Sequence, residues 1–420
     1  MTRERIAVVG AGVAGLTAAY LLQRRHDVLL FEAQPRLGGH AHTHEIPTED
    51  AGTIAVDSGF LVHNERTYPN LLRLFGELGV RTQDSEMSMS VRCLGCGLEY
   101  AGGRGLAGLF PGTGNLTRPR YLRMLGEVVR FHRHARRVLD ARVDPDLTLG
   151  GFLTAGGYSR YFVEHFMLPV VSAVWSAPEH VSRDYPARYL FAFLANHGML
   201  SVSNRTRWKT VTGGSRTYVE RAVKHLTAVH VGTPVRAVRR HAAGVEVRDD
   251  ADQAHRVDRV VLATHADQAL ALLADPTAAE RAVLGAFTYS RNETWLHTDP
   301  APLPASRGAA ASWNYLKPSC GGSDRVLVSY HLNRLMRLDT AEPFVVTLGA
   351  TDRVAPGSVL ARMVYEHPVY TPASVAAQRR LPELAGPRTA FAGAYHGWGF
   401  HEDGCAAGVR AAEWFGAGWA

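Results

Sequence analysis

The fold is decided by one stretch near the start of the chain, Arg5-Ile6-Ala7-Val8-Val9-Gly10-Ala11-Gly12-Val13-Ala14-Gly15-Leu16. The apolar run Ile6 to Val9 predicts a strand, and the residues from Leu16 to Leu22 predict a helix. Between them, Gly10 permits a tight turn, Gly12 lets the backbone approach a pyrophosphate, and Gly15 lets helix and strand pack closely. Because a helix N-terminus attracts phosphates, this stretch predicts a dinucleotide-binding unit.

A second predicted strand, Asp27 to Phe31, supports the same interpretation. It ends in Glu32, twenty residues after Gly12, where a carboxylate can accept both hydroxyls of an adenosine ribose. The order of strand, glycine turn, helix, strand and acid is far more specific than three spaced glycines alone. The predicted nucleotide contacts in this unit are Gly10, Gly12, Ala14, Gly15 and Glu32.

The residues after Glu32 carry a second signature, Ala33-Gln34-Pro35-Arg36-Leu37-Gly38-Gly39. This run resembles the FAD-dependent amine oxidase and phytoene desaturase superfamily, which has an arginine and then a glycine pair after the ribose acid. The resemblance implies an FAD cofactor that contacts Arg36, Gly38 and Gly39. The arginine that usually follows the glycine pair is replaced by His40 in this chain.

Further motifs extend the resemblance along the whole chain. The strand predicted at Val229 to Val235 matches the one whose backbone meets the adenine near Val235 in this superfamily. Three segments are similar to a narrower subgroup, predicted NAD/FAD-binding proteins related to the N-terminal flavoprotein half of plant cyclopropane fatty acid synthases. These segments are Asn196 to Leu200, Trp313 to Leu316 and Gly399 to Gly404.

The C-terminal motif of the superfamily is a strand, a loop and a helix that point at the flavin, and it corresponds to Phe391-Ala392-Gly393 and Gly404-Cys405-Ala406-Ala407-Gly408. The resemblance places Ala406 at the flavin. The family usually has an acidic residue after the strand's glycine, where this chain has Ala394. Glu402 and Asp403 are candidates to replace it, because both precede a helix whose N-terminus favours negative charge. Asp403 could equally cap that helix.

These motifs predict an α/β protein with a Rossmann-like FAD-binding domain and a mixed α+β substrate domain of the amine oxidase type. By the positions of the motifs, the FAD-binding domain is discontinuous and comprises residues 1–82, 205–268 and 385–420. The substrate domain comprises residues 83–204 and 269–384.

The composition is that of a soluble globular protein, with 46% hydrophobic and 20% charged residues. No run of about eighteen apolar residues predicts a transmembrane helix, and the first strand begins too early for a signal peptide. We therefore expect a cytoplasmic location. The net charge of +7 favours anionic surfaces or substrates, and no nucleic-acid-binding motif accompanies it.

Two groups of residues have metal-ligand chemistry, but we predict no metal site. Cys93-Leu94-Gly95-Cys96 has the spacing of half a zinc knuckle, and no second cysteine pair completes four ligands. It lies within a predicted hairpin, so we interpret the cysteines as hairpin residues, with a cross-strand redox pair as the alternative. For the alternating histidines of His40-Ala41-His42-Thr43-His44, metal binding and covalent flavin attachment are alternatives to packing and polar contacts.

Four residues are predicted to be catalytic. The resemblance places Tyr395, Trp398 and His401 in the loop before the flavin-facing helix, where amine oxidases position aromatic side chains over the flavin. His63 lies where family members cross from the cofactor lobe to the substrate. His63 and His401 are candidates for proton transfer because imidazole titrates near neutral pH.

The expected activity is that of an FAD-dependent oxidoreductase, which removes a hydride from a substrate C–H and leaves a double bond. The subgroup resemblance implies a small hydrophobic substrate, a lipid acyl chain. Alternatives are a redox-neutral double-bond isomerase, an amine oxidase, and an FAD-stabilised scaffold for a partner methyltransferase.

The segment from Arg118 to Arg142 predicts a basic amphipathic helix, with eight arginines and an apolar side that includes Tyr121, Leu125 and Phe131. Such a helix can lie at a membrane interface with its arginines among anionic headgroups. Alternatively, its apolar face packs inward on the substrate lobe, which is the commoner arrangement.

Overall fold

A computed structural model describes the protein at residues 3–141, 144, 146–201, 206–321, 325–349 and 351–419. Within these residues, the α-helices are α1 Val13–Leu22, α2 Pro69–Glu77, α3 Gly105–Leu109, α4 Pro119–Asp140, α5 Leu149–Ala155, α6 Arg160–Phe162, α7 Leu168–Trp175, α8 Glu179–Arg183, α9 Ala187–Asn196, α10 Arg216–Val223, α11 Ala266–Leu272, α12 Ala278–Leu284, α13 Leu332–Leu335, α14 Pro372–Gln378 and α15 His401–Trp414. A π-helical segment spans Val163–Met167, and short 3-10 turns span Thr113–Asn115, Thr351–Arg353, Pro356–Ser358, Leu381–Leu384 and Ala394–His396.

The strands of the same residues are β1 Arg5–Val9, β2 Asp27–Glu32, β3 Thr43–Thr48, β4 Gly52–Asp57, β5 His63–Asn64, β6 Thr82–Ser85, β7 Met89–Cys93, β8 Leu98–Gly102, β9 Trp208–Val211, β10 Ala228–Val231, β11 Val235–His241, β12 Gly244–Asp249, β13 Ala254–Val257, β14 Arg259–Leu262, β15 Thr288–His297, β16 Trp313–Lys317, β17 Val328–His331, β18 Val345–Leu348, β19 Val359–Val369 and β20 Thr389–Phe391.

A parallel sheet in the order β10-β2-β1-β14-β20 carries the predicted nucleotide-binding motif. Both of its faces are buried, as is usual for parallel sheets. Ile6 and Val8 pack on one face against α1 and α15, whereas Ala7 and Val9 pack on the other against β11–β13, α11 and α12. Its strands come from all three ranges predicted for the FAD-binding domain, and the division of the chain into two domains stays a prediction.

The glycine turn between β1 and α1 is sterically required. Gly10 has a φ of +100°, and a Cβ at that residue would lie 2.7 Å from the carbonyl oxygen of Ala263. A Cβ at Gly15 would lie 1.8 Å from the carbonyl oxygen of Gly10. Helix α1 begins at Val13, three residues earlier than predicted, because the N–H of Leu16 already donates to the carbonyl of Gly12 at 2.9 Å.

A second, mixed sheet in the order β19-β15-β18-β17-β16-β7-β8 faces the parallel sheet's C-terminal edge across a cavity. Its one parallel pair is β16 with β7, and the remaining neighbours are antiparallel. Helices α4 to α9 pack beside it around a core of large side chains, including Tyr121, Phe131, Phe162 and Phe191. In the described part of the chain, no helix is both long enough and apolar enough to cross a membrane.

A buried carboxylate fastens the Val211–Ser215 segment to the nucleotide-binding unit. Asp57, at the end of β4, accepts hydrogen bonds from the Ser215 N–H at 2.9 Å and from the Thr43 hydroxyl at 2.5 Å. Burial raises the pKa of Asp57 to about 6, against these hydrogen bonds that lower it. Asp57 therefore holds three segments of the cofactor lobe together at one point.

The sequence also predicts strands at His40 to His44 and at Val257 to Thr264. Both of these differ from the strands observed, and so does the predicted strand at Val229 to Val235. The run Val229 to Val235 is not one strand: β10 ends at Val231 and β11 starts at Val235, because Gly232 has a φ of +64° and Pro234 has no N–H to donate. The histidine run becomes a strand only from Thr43. The Val257 to Thr264 segment is divided at Asp258, whose carboxylate accepts from the N–H of Arg5 at 2.7 Å.

Candidate active site

One cavity of about 1570 Å³ runs from the C-terminal edge of the parallel sheet to α4. Its cofactor half is lined by the glycine turn, the segment after β2 and the loop after β20. Its substrate half is lined by β7, α4, the π-helical segment, α7 and α9. The predicted site residues that line the cavity are Gly10, Gly12, Ala14, Glu32, Arg36, Gly39, Val235, Tyr395, Trp398 and His401.

Two glycine backbones leave the space that a bound dinucleotide requires. A Cβ on Gly12 would meet no protein atom within 4 Å, so the cavity is open directly in front of this residue. A Cβ on Gly39 would lie 3.1 Å from the Gly12 Cα. The N-terminus of α1 opens onto the same space through Val13 and Ala14. A pyrophosphate placed there would meet N–H groups and a positive helix end.

Two backbone hydrogen bonds orient the carboxylate of Glu32, the residue predicted to bind the ribose. Its Oε2 accepts a hydrogen bond from the N–H of Ala11 at 2.8 Å, and its Oε1 accepts one from the N–H of Gln34 at 2.9 Å. Each oxygen keeps a further lone pair for a hydroxyl donor. The carboxylate can therefore still accept hydrogen bonds from the hydroxyls of the adenosine ribose, as the sequence predicts.

The next predicted contacts have two different roles. Arg36 and Val235 line the cofactor half of the cavity. Gly38 is buried and does not line it: the Gly38 N–H donates to the Ala11 carbonyl at 2.8 Å, and a Cβ there would lie 2.4 Å from the Ala41 carbonyl oxygen. Gly38, like Gly15, thus shapes the cradle without bordering it.

The two acidic residues, which the sequence placed before the helix, lie in the first turn of α15 and accept hydrogen bonds from the protein's own backbone. Glu402 accepts hydrogen bonds from the N–H groups of Asn70 and Leu71, both at 3.0 Å, and so caps α2. Asp403 accepts from the N–H of Phe400 at 2.9 Å, as a residue at the third position of α15 does in a capping box. Neither carboxylate lines the cavity, and neither does Ala406. The capping alternative for Asp403 describes the geometry found.

His40 takes the position of the family's arginine and faces the cofactor half. It lines the cavity, and its Nε2 is buried without a hydrogen-bond partner among the described residues. The other two histidines of the run are engaged: His42 Nδ1 lies 3.1 Å from the Tyr365 hydroxyl and His44 Nε2 lies 2.8 Å from the Ser58 hydroxyl. An unpaired polar atom in this position fits a cofactor that supplies the missing partner.

Tyr395 and Trp398 border the cavity on opposite sides of the loop between β20 and α15. Tyr395 packs with Phe287, at 5.2 Å between ring centroids, on the cofactor side. Trp398 packs on the substrate side, where its carbonyl accepts from the Trp175 indole N–H at 3.1 Å. In the part of the chain that the structure describes, the buried Trp398 indole N–H has no hydrogen-bond partner.

The two histidines proposed for proton transfer differ in access. His401 lines the cavity, stacks on Phe60 at 3.8 Å between centroids, and its Nε2 lies 2.9 Å from the Tyr218 hydroxyl. His63 is fully buried behind Phe60 and does not line the cavity, which leaves it no access to a substrate. Burial lowers the pKa of His401 to about 3 and that of His63 to about 4. Both imidazoles are therefore neutral at pH 7.

The described residues that line the substrate half of the cavity carry no charge. Its described lining residues include no Asp, Glu, Lys or Arg, and the two histidines among them, His132 and His197, are neutral because burial lowers each pKa to about 4. The cavity's carboxylates, Glu32 and Glu366, both lie at the cofactor end; Glu366 Oε2 is 3.4 Å from Nδ1 of His265, just after β14. Apolar lining side chains include Met89, Val91, Met124, Leu125, Val128, Phe166, Met167, Val170, Phe193 and Leu194.

One wall residue, Phe400, lies in the Gly399 to Gly404 segment of the sequence resemblance but is not among the predicted site residues. Phe400 lines the cavity and stacks on Phe193 at 4.9 Å between centroids, which joins the loop before α15 to α9. A single phenylalanine in a loop resembles any core residue. Only the packing of α9 against that loop shows that Phe400 belongs to the site.

A nucleotide cradle beside a long apolar cavity defines the class of protein, an FAD-dependent oxidoreductase. The chain belongs to the family of flavin containing amine oxidoreductases, whose model matches residues 13–330. It is 32% identical over 264 residues to the Mycobacterium tuberculosis protein AofH, assigned as a flavin-containing monoamine oxidase. That match covers 59% of this chain and 54% of the relative, so the chain spans about half the length of the curated relative.

Solved structures show the same fold over nearly the whole chain. A CLA-producing fatty acid isomerase from P. acnes has a TM-score of 0.70 at 16% identity, and the match covers 96% of this chain and 97% of that one. A putrescine oxidase variant has a TM-score of 0.71 at 15% identity, with 98% of both chains covered. The cyclohexylamine oxidase of Brevibacterium oxydans has a TM-score of 0.69 at 15% identity, again with 98% of both chains covered. These likenesses confirm the predicted fold class, and the narrower resemblance to cyclopropane fatty acid synthases stays a prediction.

Proposed function

We propose that this FAD-dependent oxidoreductase acts on a hydrophobic acyl chain, from which a hydride leaves one carbon for the flavin and a proton leaves the adjacent carbon for water, so that a double bond forms. The observation that carries the proposal is that the described residues lining the substrate half of the cavity are uncharged and mostly apolar. The fold by itself favours no substrate, because proteins named for fatty acids and for amines share it. The choice therefore rests on the side chains that line this cavity.

An acyl chain fits this lining better than a cationic amine does. Burying an ammonium ion without a paired charge costs several kcal/mol, and the described lining of the substrate half has no carboxylate to pair with it. Each methylene of an acyl chain gains about 0.8 kcal/mol on leaving water. The row of α4 side chains Met124, Leu125 and Val128 extends this apolar lining away from the cofactor.

When bound, FAD supplies a hydride acceptor. The chain's own residues position the substrate and exclude water. The Trp398 carbonyl accepts a hydrogen bond from the Trp175 indole at 3.1 Å, and the Phe400 N–H donates one to the Asp403 carboxylate at 2.9 Å. These bonds fix Trp398 and Phe400, which line the cavity between its halves. His401, neutral and hydrogen-bonded to Tyr218, supports Phe60 by stacking and acts as a positioning residue.

Amine oxidation is the second candidate, because the family and the relative AofH are named for it. It would require the amine to enter as the neutral base. A redox-neutral isomerase would use the same cavity and return the hydride to the acyl chain. The two acyl reactions differ in whether an electron acceptor is consumed.

We also propose contact with a membrane surface through α3, α4 and the loop between them. Four of the exposed large hydrophobic residues of the described chain lie on α3, α4 and the loop between them: Leu106, Leu116, Leu122 and Val129, which are 75%, 55%, 43% and 47% exposed. The exposed arginines of α4 flank them, and Arg142 of the predicted basic segment lies outside the described residues. Apolar side chains between arginines suit an interface with anionic headgroups.

Anaerobic spectroscopy of the purified holoenzyme tests the substrate class. We expect oleate or linoleate to bleach the oxidised flavin absorbance and to lose two hydrogens, whereas benzylamine and putrescine leave the spectrum unchanged. Bleaching by amines alone would contradict the proposal in favour of amine oxidation. Conversion of linoleate to a product of equal mass, with no acceptor consumed, would establish the isomerase instead. No change with any of the probes would support the scaffold alternative.

A further inference from the structure

Three thiols and one imidazole meet at a point that does not line the cavity. Their ligand atoms, from Cys93, Cys96, Cys320 and His165, all lie within 4.8 Å of one another. They come from three separate parts of the chain: the β7–β8 turn, the π-helical segment and the loop after β16. We refer to these four residues as the Cys3His cluster.

Two of the distances within the Cys3His cluster match the edges of a tetrahedral metal site. In zinc sites the Zn–S distance is about 2.3 Å and the Zn–N distance is about 2.1 Å. In a tetrahedron with these bond lengths, two sulfurs are about 3.8 Å apart, and a sulfur and a nitrogen are about 3.6 Å apart. The Sγ atoms of Cys93 and Cys320 are 3.8 Å apart, and Cys96 Sγ is 3.6 Å from Nε2 of His165. A disulfide would bring two sulfurs to about 2.05 Å.

The backbone around Cys93 and Cys96 is shaped to present both thiols on one side. The N–H of Gly97 donates to the carbonyl of Cys93 at 2.9 Å, and Gly97 has a φ of +66°. The N–H of Leu98 donates to the Cys96 sulfur. A Cβ on Gly95 would lie 2.9 Å from the Cys320 nitrogen, so only glycine lets the third thiol approach this closely.

His165 is oriented to offer Nε2 to the cluster. Its Nδ1 lies 3.2 Å from the carbonyl oxygen of Tyr161, and its ring stacks on that of Tyr161 at 4.1 Å. Metal-binding histidines usually donate from the second ring nitrogen to a carbonyl in this way, which fixes the ring and the tautomer. π-helical segments such as the one that carries His165 often mark functional positions.

A positive charge lies beside the cluster. The guanidinium of Arg118 donates to the carbonyl of Cys96 at 2.8 Å and to that of Gly97 at 3.3 Å. Three thiolates and a neutral imidazole around Zn²⁺ carry one net negative charge, which this arginine offsets. The arrangement thus includes ligands, an orienting acceptor and a compensating charge.

We propose that the Cys3His cluster binds a structural Zn²⁺. Four protein ligands leave no open position for water or substrate, which is the pattern of structural rather than catalytic zinc. The ion would join the β7–β8 hairpin to the π-helical segment, and both elements line the substrate half of the cavity, through Met89 and Val91 and through Phe166 and Met167. The zinc would therefore hold the wall of that cavity, and this inference does not depend on which substrate it accepts.

Metal analysis of the holoprotein, purified without chelators, tests the inference. We expect about one zinc ion per chain, retained after dialysis against buffer with Zn²⁺ removed. Cys96→Ser and His165→Ala should each lose most of this zinc. Cys405→Ser, which changes a buried cysteine in α15 outside the cluster, should keep it.

A second measurement covers variants that fail to fold. Cobalt exchanged into the wild-type protein should give the intense visible bands of a tetrahedral thiolate site, at longer wavelengths than oxidised flavin. Less than about a tenth of a zinc ion per chain, together with no cobalt bands, would overturn the inference. Zinc content unchanged in both cluster variants would also overturn it, as would a wild-type protein whose cluster cysteines are found by mass spectrometry to be paired in a disulfide.

Discussion

Oε2 of Glu32 accepts a 2.8 Å hydrogen bond from the N–H of Ala11, inside the glycine turn twenty-one residues earlier in the chain. The acid predicted to bind the ribose and the turn predicted to bind the phosphates are thus hydrogen-bonded directly to each other. This connection explains why the carboxylate is oriented before any cofactor binds.

Glu32→Ala should weaken FAD binding with little effect on turnover of the enzyme that still holds FAD. Two charge-assisted hydrogen bonds to the ribose are lost, at on the order of 2–4 kcal/mol, or about 30- to 1,000-fold in Kd. Titration of the apoprotein with FAD measures the change, and Glu49→Ala, at an exposed turn, is the matched control. An unchanged FAD affinity would show that the ribose lies elsewhere.

The flavin should be released intact when the protein is denatured by heat or acid. Cys405 is buried in α15 and accepts a hydrogen bond from the Thr17 hydroxyl at 3.4 Å, and it does not line the cavity. Absorbance of the supernatant and mass spectrometry of the free flavin check this. Flavin that stays with the precipitate would point to covalent attachment, with His40 the first residue to substitute.

Val128→Phe should shorten the acyl chains that the enzyme accepts. Val128 lines the substrate half from α4, so a larger side chain removes space at the end far from the cofactor. Turnover of long acyl chains should fall at least tenfold relative to short ones. Leu122→Phe, on an exposed position of the same helix that does not line the cavity, should leave the ratio unchanged. Equal losses for long and short chains would argue against this binding direction.

The protein should lose stability as the pH falls below about 6.5. Burial lowers the pKa of ten histidines of the described chain to about 3 or 4. At a pH below the usual pKa of an imidazole, each of these histidines is protonated in the unfolded state but stays neutral in the folded state. Acid therefore favours the unfolded state, which binds more protons. Asp57 and Asp403 act in the opposite direction, because burial raises their pKa values to about 6 and about 7.

Ten histidines outweigh two carboxyl groups, so we expect the Tm to fall by more than about 5 °C between pH 7 and pH 5. Circular dichroism melts at constant ionic strength measure the change. A Tm that stays level or rises over this range would contradict the assignment of neutral buried imidazoles.

The protein should bind vesicles that contain anionic lipid at low salt. Binding should fade as salt screens the headgroups, and it should weaken severalfold when Arg120 and Arg133, both exposed on α4, become Ser. Replacing Arg281 and Arg379, exposed on α12 and just after α14, controls for net charge. Cosedimentation quantifies the bound fraction, and binding that ignores lipid charge would remove the proposed role of α4.

The nucleotide-binding unit could be predicted from the sequence because its parts are local. About thirty residues contain all of its parts, which are β1, β2, the turn at Gly10 and the acid at Glu32. The residue types within each part are enough to predict its conformation or role. The hairpin containing Cys93 and Cys96 was predictable for the same reason. So was α4, whose start at Pro119 matches the predicted helix.

Contacts between distant segments decided the rest. The sequence alone predicts only hairpin residues at Cys93 and Cys96, because their partners are distant in the chain. Cys320 lies 227 residues after Cys93, and His165 lies 69 residues after Cys96. His63 has the residue type for proton transfer, yet packing behind Phe60 keeps it from the cavity. Residue type and local spacing determine what a segment can form, whereas burial and proximity depend on which segments pack together, and that is a property of the whole fold.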